Sequence, residues 1–107
     1  MTTFDDREKG FETQYKRDQE LDFKTTARRN KLLGLWAAEK MGISGADADA
    51  YAKEVVMSDF EKPGEEDVVE KVMGDFTDKN AGVEESELRV EMARLMITAR
   101  EQIQSEG

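Results

Sequence analysis

The spacing of the apolar side chains restricts this chain to helices. No stretch alternates with period two, as a half-exposed strand would, whereas four stretches carry apolar residues three and four positions apart. Gly42, Gly45, Gly82 and the Pro63-Gly64 pair separate these stretches. The pattern therefore predicts an all-α protein, a small four-helix bundle whose short connections favour antiparallel neighbours.

Capping residues define the expected helix ends. The four helices are predicted from about Thr3 to Met41, from an N-cap at Ser44 to the turn at Pro63, from about Glu65 to Asp78, and from about Glu84 to Gln104. Gly42 is expected to close the first helix in a left-handed conformation. The inward face of the fourth helix is predicted to carry Leu88, Met92, Leu95, Met96, Ala99 and Ile103. Gly34 is expected to allow close helix packing beside Trp36.

The first helix divides into two parts of different composition. Residues 1–20 contain Phe4, Phe11 and Tyr15 on one narrow helical face, surrounded by charged side chains. Residues 32–41, in contrast, are mostly apolar. A segment with so few apolar contacts gains too little from burial to offset the ordering of its backbone. We therefore predict an N-terminal segment, residues 1–20, that is flexible or transiently helical, and a bundle domain of residues 21–107.

Two interpretations of the aromatic stripe are open at this point. The stripe either docks on the protein's own core or binds a groove on a partner, as amphipathic helices often do. The charge distribution follows the same division: residues 1–31 carry a net charge of +1, and residues 32–107 carry −10.

Composition excludes several classes of function. The chain has no Cys and no His, which removes disulfides, Cys/His zinc sites and the usual nucleophile pairs. A net charge of −9 argues against binding to nucleic acid. No signal peptide and no membrane-spanning run is recognised, so an intracellular protein without direct membrane insertion is expected. We predict no enzyme activity, no metal and no cofactor.

Three basic residues, Arg28, Arg29 and Lys31, are candidates for a weak contact with ADP or ATP, because a guanidinium can pair with a phosphate on any scaffold. The alternative is that they form a solvated helix face or ion pairs with the acidic remainder of the chain. No phosphate-binding loop accompanies them. The acidic residues Asp47 and Asp49 resemble the start of a calcium loop, but Ala52 and Ser58 stand where Gly and Glu are required.

The run from Ala27 to Gly42, ARRNKLLGLWAAEKMG, resembles the signature of the zeta subunit family of α-proteobacteria, which inhibits the F-type ATP synthase. The opening TFDDRE, the segment AYAKEVV and the later Asp59-Phe60 resemble the same family, so the likeness covers nearly the whole chain. It implies a four-helix bundle whose N-terminal segment enters a catalytic interface beside the rotor and stops ATP hydrolysis.

The resemblance also implies the contact residues and the partner. The inhibitory contacts would be made by Phe4, Asp5, Asp6, Arg7, Glu8, Lys9, Phe11, Glu12 and Tyr15. The partner would be the catalytic head of the ATP synthase, formed by its alpha, beta and gamma subunits, so the protein is expected in the cytoplasm, peripheral to the inner membrane. A nucleotide-sensing helical adaptor that binds ADP or ATP weakly is the alternative function.

Overall fold

The protein consists of four helices joined by short connections. The computed structural model describes the backbone of residues 3–61 and 65–106, and the side chains of residues 19–59 and 65–106. The helices are α1 (Thr3–Lys40), α2 (Gly45–Glu61), α3 (Glu65–Asp78) and α4 (Glu85–Glu106). The described residues contain no strand, and the predicted all-α class is confirmed. Pro63, which the sequence predicts to end α2, lies outside the described residues.

A left-handed glycine ends α1, as the sequence predicts. Gly42 has a φ of 75°. The backbone N–H of Ile43 donates to the carbonyl of Ala38 at 2.8 Å, and that of Gly42 donates to the carbonyl of Glu39 at 3.1 Å. These two bonds form a Schellman motif, which satisfies carbonyl groups at the end of the helix. The chain can then reverse direction into α2 within four residues.

The end of α3 uses the same motif with a different residue. Asn80 takes the left-handed conformation, with a φ of 52°. The N–H of Ala81 donates to the carbonyl of Phe76 at 2.9 Å, and the N–H of Asn80 donates to that of Thr77 at 3.2 Å. Asn is the side chain that tolerates this conformation best after Gly. The connection between α3 and α4 therefore begins with the left-handed Asn80, two residues before Gly82, the residue that indicates this connection in the sequence.

The core forms where α2, α3 and α4 pack against the second half of α1. Its buried apolar residues are Leu33, Ala37, Ala38, Tyr51, Val55, Val68, Val69, Val72, Phe76, Val83, Leu88, Met92 and Leu95. The predicted inward face of α4 is confirmed, with Met96 half-buried and the other five residues buried. Trp36 is half-buried and meets Phe76 edge to face, with ring centroids 5.9 Å apart. Both α2 and α4 run antiparallel to α1. The short turn joins the end of α1 to the start of α2, while Asn30, farther back on α1, bonds to Asp59 near the end of α2. Arg28 bonds to Gln102 near the end of α4, and Lys40 at the end of α1 lies within electrostatic range of Glu91 in the first half of α4.

The molecule is elongated for its length. Its radius of gyration is 17.4 Å, and its principal extents are 64 × 25 × 21 Å. A compact domain of this size would have a radius of gyration of about 13 Å. The difference follows from α1, whose 38 residues span about 57 Å at 1.5 Å per residue. One helix therefore extends well beyond the bundle that it helps to build.

Candidate partner-binding surface

The N-terminal part of α1 leaves the bundle as a helix. We call residues 3–24 of α1 the stem. Its described side chains, those of residues 19–24, are all exposed, including Leu21 at 38% and Phe23 at 59%. Among the described side chains, the first buried one is that of Thr25, whose hydroxyl donates to the carbonyl of Leu21 at 2.6 Å. Burial of the described side chains thus begins at Thr25. The division between residues 1–20 and residues 21–107 stays a prediction.

The nine predicted inhibitory residues lie on the stem. Their backbone is helical and continues into the rest of α1, and their side chains lie outside the described part of the chain. The predicted segment of residues 1–20 begins with Met1 and Thr2, and these two residues lie outside the described backbone as well. The flexibility of this segment in the free protein stays a prediction.

The two arginines at the base of the stem are engaged within the protein. Arg28 donates to Gln102 at 2.8 Å and pairs with Glu106 at 2.7 Å. The side chain of Arg29 is only 2% exposed, and its Nη1 lies 3.0 Å from Oε1 of Glu65. Both guanidinium groups therefore fix α1 against other helices, as in the ion-pair interpretation. Nucleotide binding stays an untested prediction, and Lys31, the third candidate, is exposed.

A buried polar network surrounds Arg29. Its Nε donates to Oδ1 of Asn30 at 2.9 Å, and Nδ2 of Asn30 donates to Asp59 at 3.1 Å. Arg29 and Asn30 are each 1% exposed. Sequence reasoning missed this burial, although Arg29 and Asn30 stand four and three residues before the buried Leu33. That spacing places them on the core face of α1 and could have predicted their burial.

A cleft of about 590 Å³ lies between the α1–α2 turn and the end of α3. In it, the hydroxyl of Tyr51 donates to Oδ2 of Asp75 at 2.7 Å, and Nζ of Lys71 binds the same oxygen at 3.0 Å. Burial, and then the hydrogen bond to Asp75, raises the pKa of the Tyr51 hydroxyl well above its usual range. The sequence pattern assigns no role to Tyr51, because its partners lie on α3.

The acidic side chains form no metal site in the described ranges, where no group of three or more Asp or Glu residues is placed to hold an ion. Glu65 and Glu66, at the start of α3, pair instead with Arg29 and Arg89. Over the same part of the chain, none of the helices has both the length and the apolar character needed to cross a bilayer.

The fold and this surface define a small all-α bundle with one helix extended beyond it. The chain belongs to the family of ATPase inhibitor subunit zeta, whose family model matches residues 1–102. A chain solved by NMR in solution is 49% identical, with a TM-score of 0.73 over 81% of this chain and 99% of that one. No curated protein matches. The family resemblance seen in the sequence is confirmed, and it supports an inhibitory, regulatory role on the ATP synthase.

Proposed function

We propose that the stem is the inhibitory element of this protein and that it blocks ATP hydrolysis by inserting at a catalytic interface of the ATP synthase head, beside the rotor. The bundle holds the base of the stem and stays outside that interface. The protein acts by binding a partner in one conformational state, and it makes or breaks no bond. The alpha, beta and gamma subunits of the head are the proposed partners.

One observation carries this proposal: the described side chains of the stem are exposed, on the same helix whose second half belongs to the bundle. Residues 19–24 are exposed, and the buried contacts begin at Thr25. An isolated helix gains little stability from its own sequence, because most helical stability comes from packing of an apolar face. Exposed side chains are available to a partner, and docking in a groove would bury them.

The sequence of the stem fits an interface that is apolar at its centre and charged at its edges. Phe4, Phe11 and Tyr15 share one face, and Asp5, Asp6, Arg7, Glu8, Lys9 and Glu12 surround them. Buried aromatic side chains supply most of the free energy at protein interfaces, while charges at the rim set the orientation and the rate of association. We therefore expect the three aromatic residues to anchor the stem.

Truncation tests the proposal. A protein that begins at residue 20 should keep the bundle, because its first buried side chain is Thr25, and it should no longer inhibit ATP hydrolysis by purified ATP synthase. Circular dichroism and thermal unfolding would show that the bundle is intact. A synthetic peptide of residues 1–19 should inhibit more weakly than the full chain, since it must order its own backbone on docking.

A triple variant, Phe4→Ala, Phe11→Ala and Tyr15→Ala, separates the aromatic stripe from the length of the segment. It should lose most of the inhibition, whereas a matched variant with Thr13→Ala, Gln14→Ala and Gln19→Ala should keep it. Full inhibition by the truncated protein would contradict the proposal.

A further inference from the structure

A second surface lies beside the base of the stem, in a groove of about 560 Å³ between α1 and α2. Its lining consists of Lys31, Asp49, Ala52, Lys53, Val56 and Met57. Met57 is 60% exposed and Val56 is half-buried, so apolar surface remains uncovered on the outer side of α2. We call this surface the α1–α2 groove.

The charge of the groove is opposite to that of the whole protein. Lys31 and Lys53 are both exposed, and neither forms an ion pair with a described residue. Lys24, also exposed, stands seven residues before Lys31 and therefore lies on the same face of α1. Asp49 is the only carboxylate in the lining. In a chain of net charge −9, three lysines beside an apolar surface favour an acidic partner.

The groove is close to the point where the stem leaves the bundle. Lys31 follows Thr25, the first buried residue among the described side chains, by six positions, or about 9 Å along the helix axis. The hydrogen bond from Asn30 to Asp59, of 3.1 Å, holds the end of α2 beside the same part of α1. Lys24 belongs to the stem itself. A partner that surrounds the stem would therefore meet the groove as a continuation of the same surface.

We propose that the α1–α2 groove binds an acidic amphipathic helix of the catalytic head and so holds the bundle against the enzyme while the stem occupies the catalytic interface. The apolar face of that helix packs on Met57 and Val56, and its carboxylates pair with Lys31 and Lys53. A methionine side chain adapts to irregular apolar surfaces, which suits this contact. The inference rests on the proposed function and adds a second contact to it.

Charge reversal tests the inference. The double variant Lys31→Glu, Lys53→Glu should still inhibit completely at saturating concentration, because the stem is unchanged, but its half-inhibitory concentration should rise about tenfold. Its dependence on salt should also be weaker than that of the wild type, since screened charge pairs are lost. The matched control is Lys79→Glu, Arg100→Glu, two exposed cations away from the groove with no ion pair among the described residues.

Apolar contact is tested in the same assay. Met57→Ser should raise the half-inhibitory concentration, whereas Ile97→Ser should not, although both side chains are 60% exposed. Thermal unfolding of each variant checks that the bundle is intact. Equal inhibition by the groove and control variants, with inhibition still lost on truncation, would overturn this inference and leave the proposed function standing.

Two further outcomes would also overturn it. A dimer seen by sedimentation, and lost in the groove variants, would show that the occupant is a second copy of the chain. If the double variant Lys31→Glu, Lys53→Glu failed to inhibit at every concentration, the two lysines would be part of the interface that the stem itself occupies. If the truncated protein inhibits fully, the proposed function is wrong. A direct comparison of how tightly the groove variants and the control variants bind the enzyme then tests the groove separately.

Discussion

Gly34 determines how closely α1 and α2 approach. A Cβ atom at this position would lie 2.5 Å from Cα of Ala52 and 3.3 Å from Cγ2 of Val55. The first contact is with backbone, which cannot move away as a flexible side chain can. Close packing is thus the reason for a glycine inside a helix, where it otherwise costs about 1 kcal/mol relative to alanine.

Substituting alanine at Gly34 should therefore destabilise the protein, despite the higher helix propensity of alanine. We expect the free energy of unfolding to fall by about 1 to 3 kcal/mol, because the added methyl group forces the two helices apart. Urea unfolding followed by circular dichroism measures this change.

Gly74→Ala is the matched control, since no atom lies within 4 Å of a Cβ at that position in α3. This substitution should stabilise the protein by about 0.5 to 1 kcal/mol through helix propensity alone. If both substitutions stabilise the protein to the same extent, the close approach of α1 and α2 is not a constraint.

At the scale of the element, α1 is one helix in two environments. Its second half is covered by the bundle, while the described stem residues 19–24 are exposed. Continuity of the backbone from Thr3 to Lys40 means that the bundle sets the direction in which the stem points. A stem that continues a helix held by the bundle is expected to lose less freedom on docking than a free peptide does.

Asp22→Pro should break this continuity while leaving the bundle intact. Proline removes a backbone donor and clashes with the preceding turn, but it is well tolerated at the first position of a helix. The bundle part of α1 can thus begin again at residue 22, just before Thr25. We expect the stability of the bundle to change by less than about 1 kcal/mol and inhibition to weaken about tenfold.

The comparison is with Asp22→Ala, which removes the same carboxylate and keeps the helix. Titrating ATPase inhibition with both variants, after urea unfolding has established their stability, isolates the effect of the break. Inhibition at the wild-type level by the proline variant would show that the direction of the stem does not matter.

For the whole molecule, the Tyr51 to Asp75 bond joins α2 to α3 and makes folding sensitive to alkaline pH. The folded protein raises the pKa of the Tyr51 hydroxyl, mainly through burial and then through the bond to Asp75. The unfolded chain therefore loses this proton first. The contribution to stability is complete below about pH 10, the ordinary tyrosine pKa, and is lost as the pH rises above it.

Tyrosinate absorbance measures this behaviour. The chain has two tyrosines, so a Tyr15→Phe variant reports on Tyr51 alone. Its tyrosinate band should appear only together with the loss of helical circular dichroism, and Tyr51→Phe should unfold less steeply with pH above 10. Ionisation of Tyr51 near pH 10 in a protein that is still helical would contradict the assignment.

Features that depend on local spacing could be predicted from the sequence. The start and end of α3, the Gly42 cap and the inward face of α4 follow from side chains within a few positions of each other. The burial of Arg29 and the pairing of Tyr51 with Asp75 could not, because their partners are on other helices. From its charge alone, an arginine is expected at the protein surface. Its burial is energetically tolerated only when hydrogen bonds and an ion pair satisfy the guanidinium group.

The sequence by itself determined that this chain is helical, that its first 20 residues contain few apolar side chains, and that it resembles the zeta family. Periodicity and composition are properties of neighbouring residues, so they can be determined without knowing which helices pack together. Only the tertiary structure decided that burial of the described side chains begins at Thr25, that Arg28 and Arg29 are paired with carboxylates, and that Lys31 and Lys53 border one groove. These facts depend on which helices are in contact, and the packing of the whole core determines those contacts.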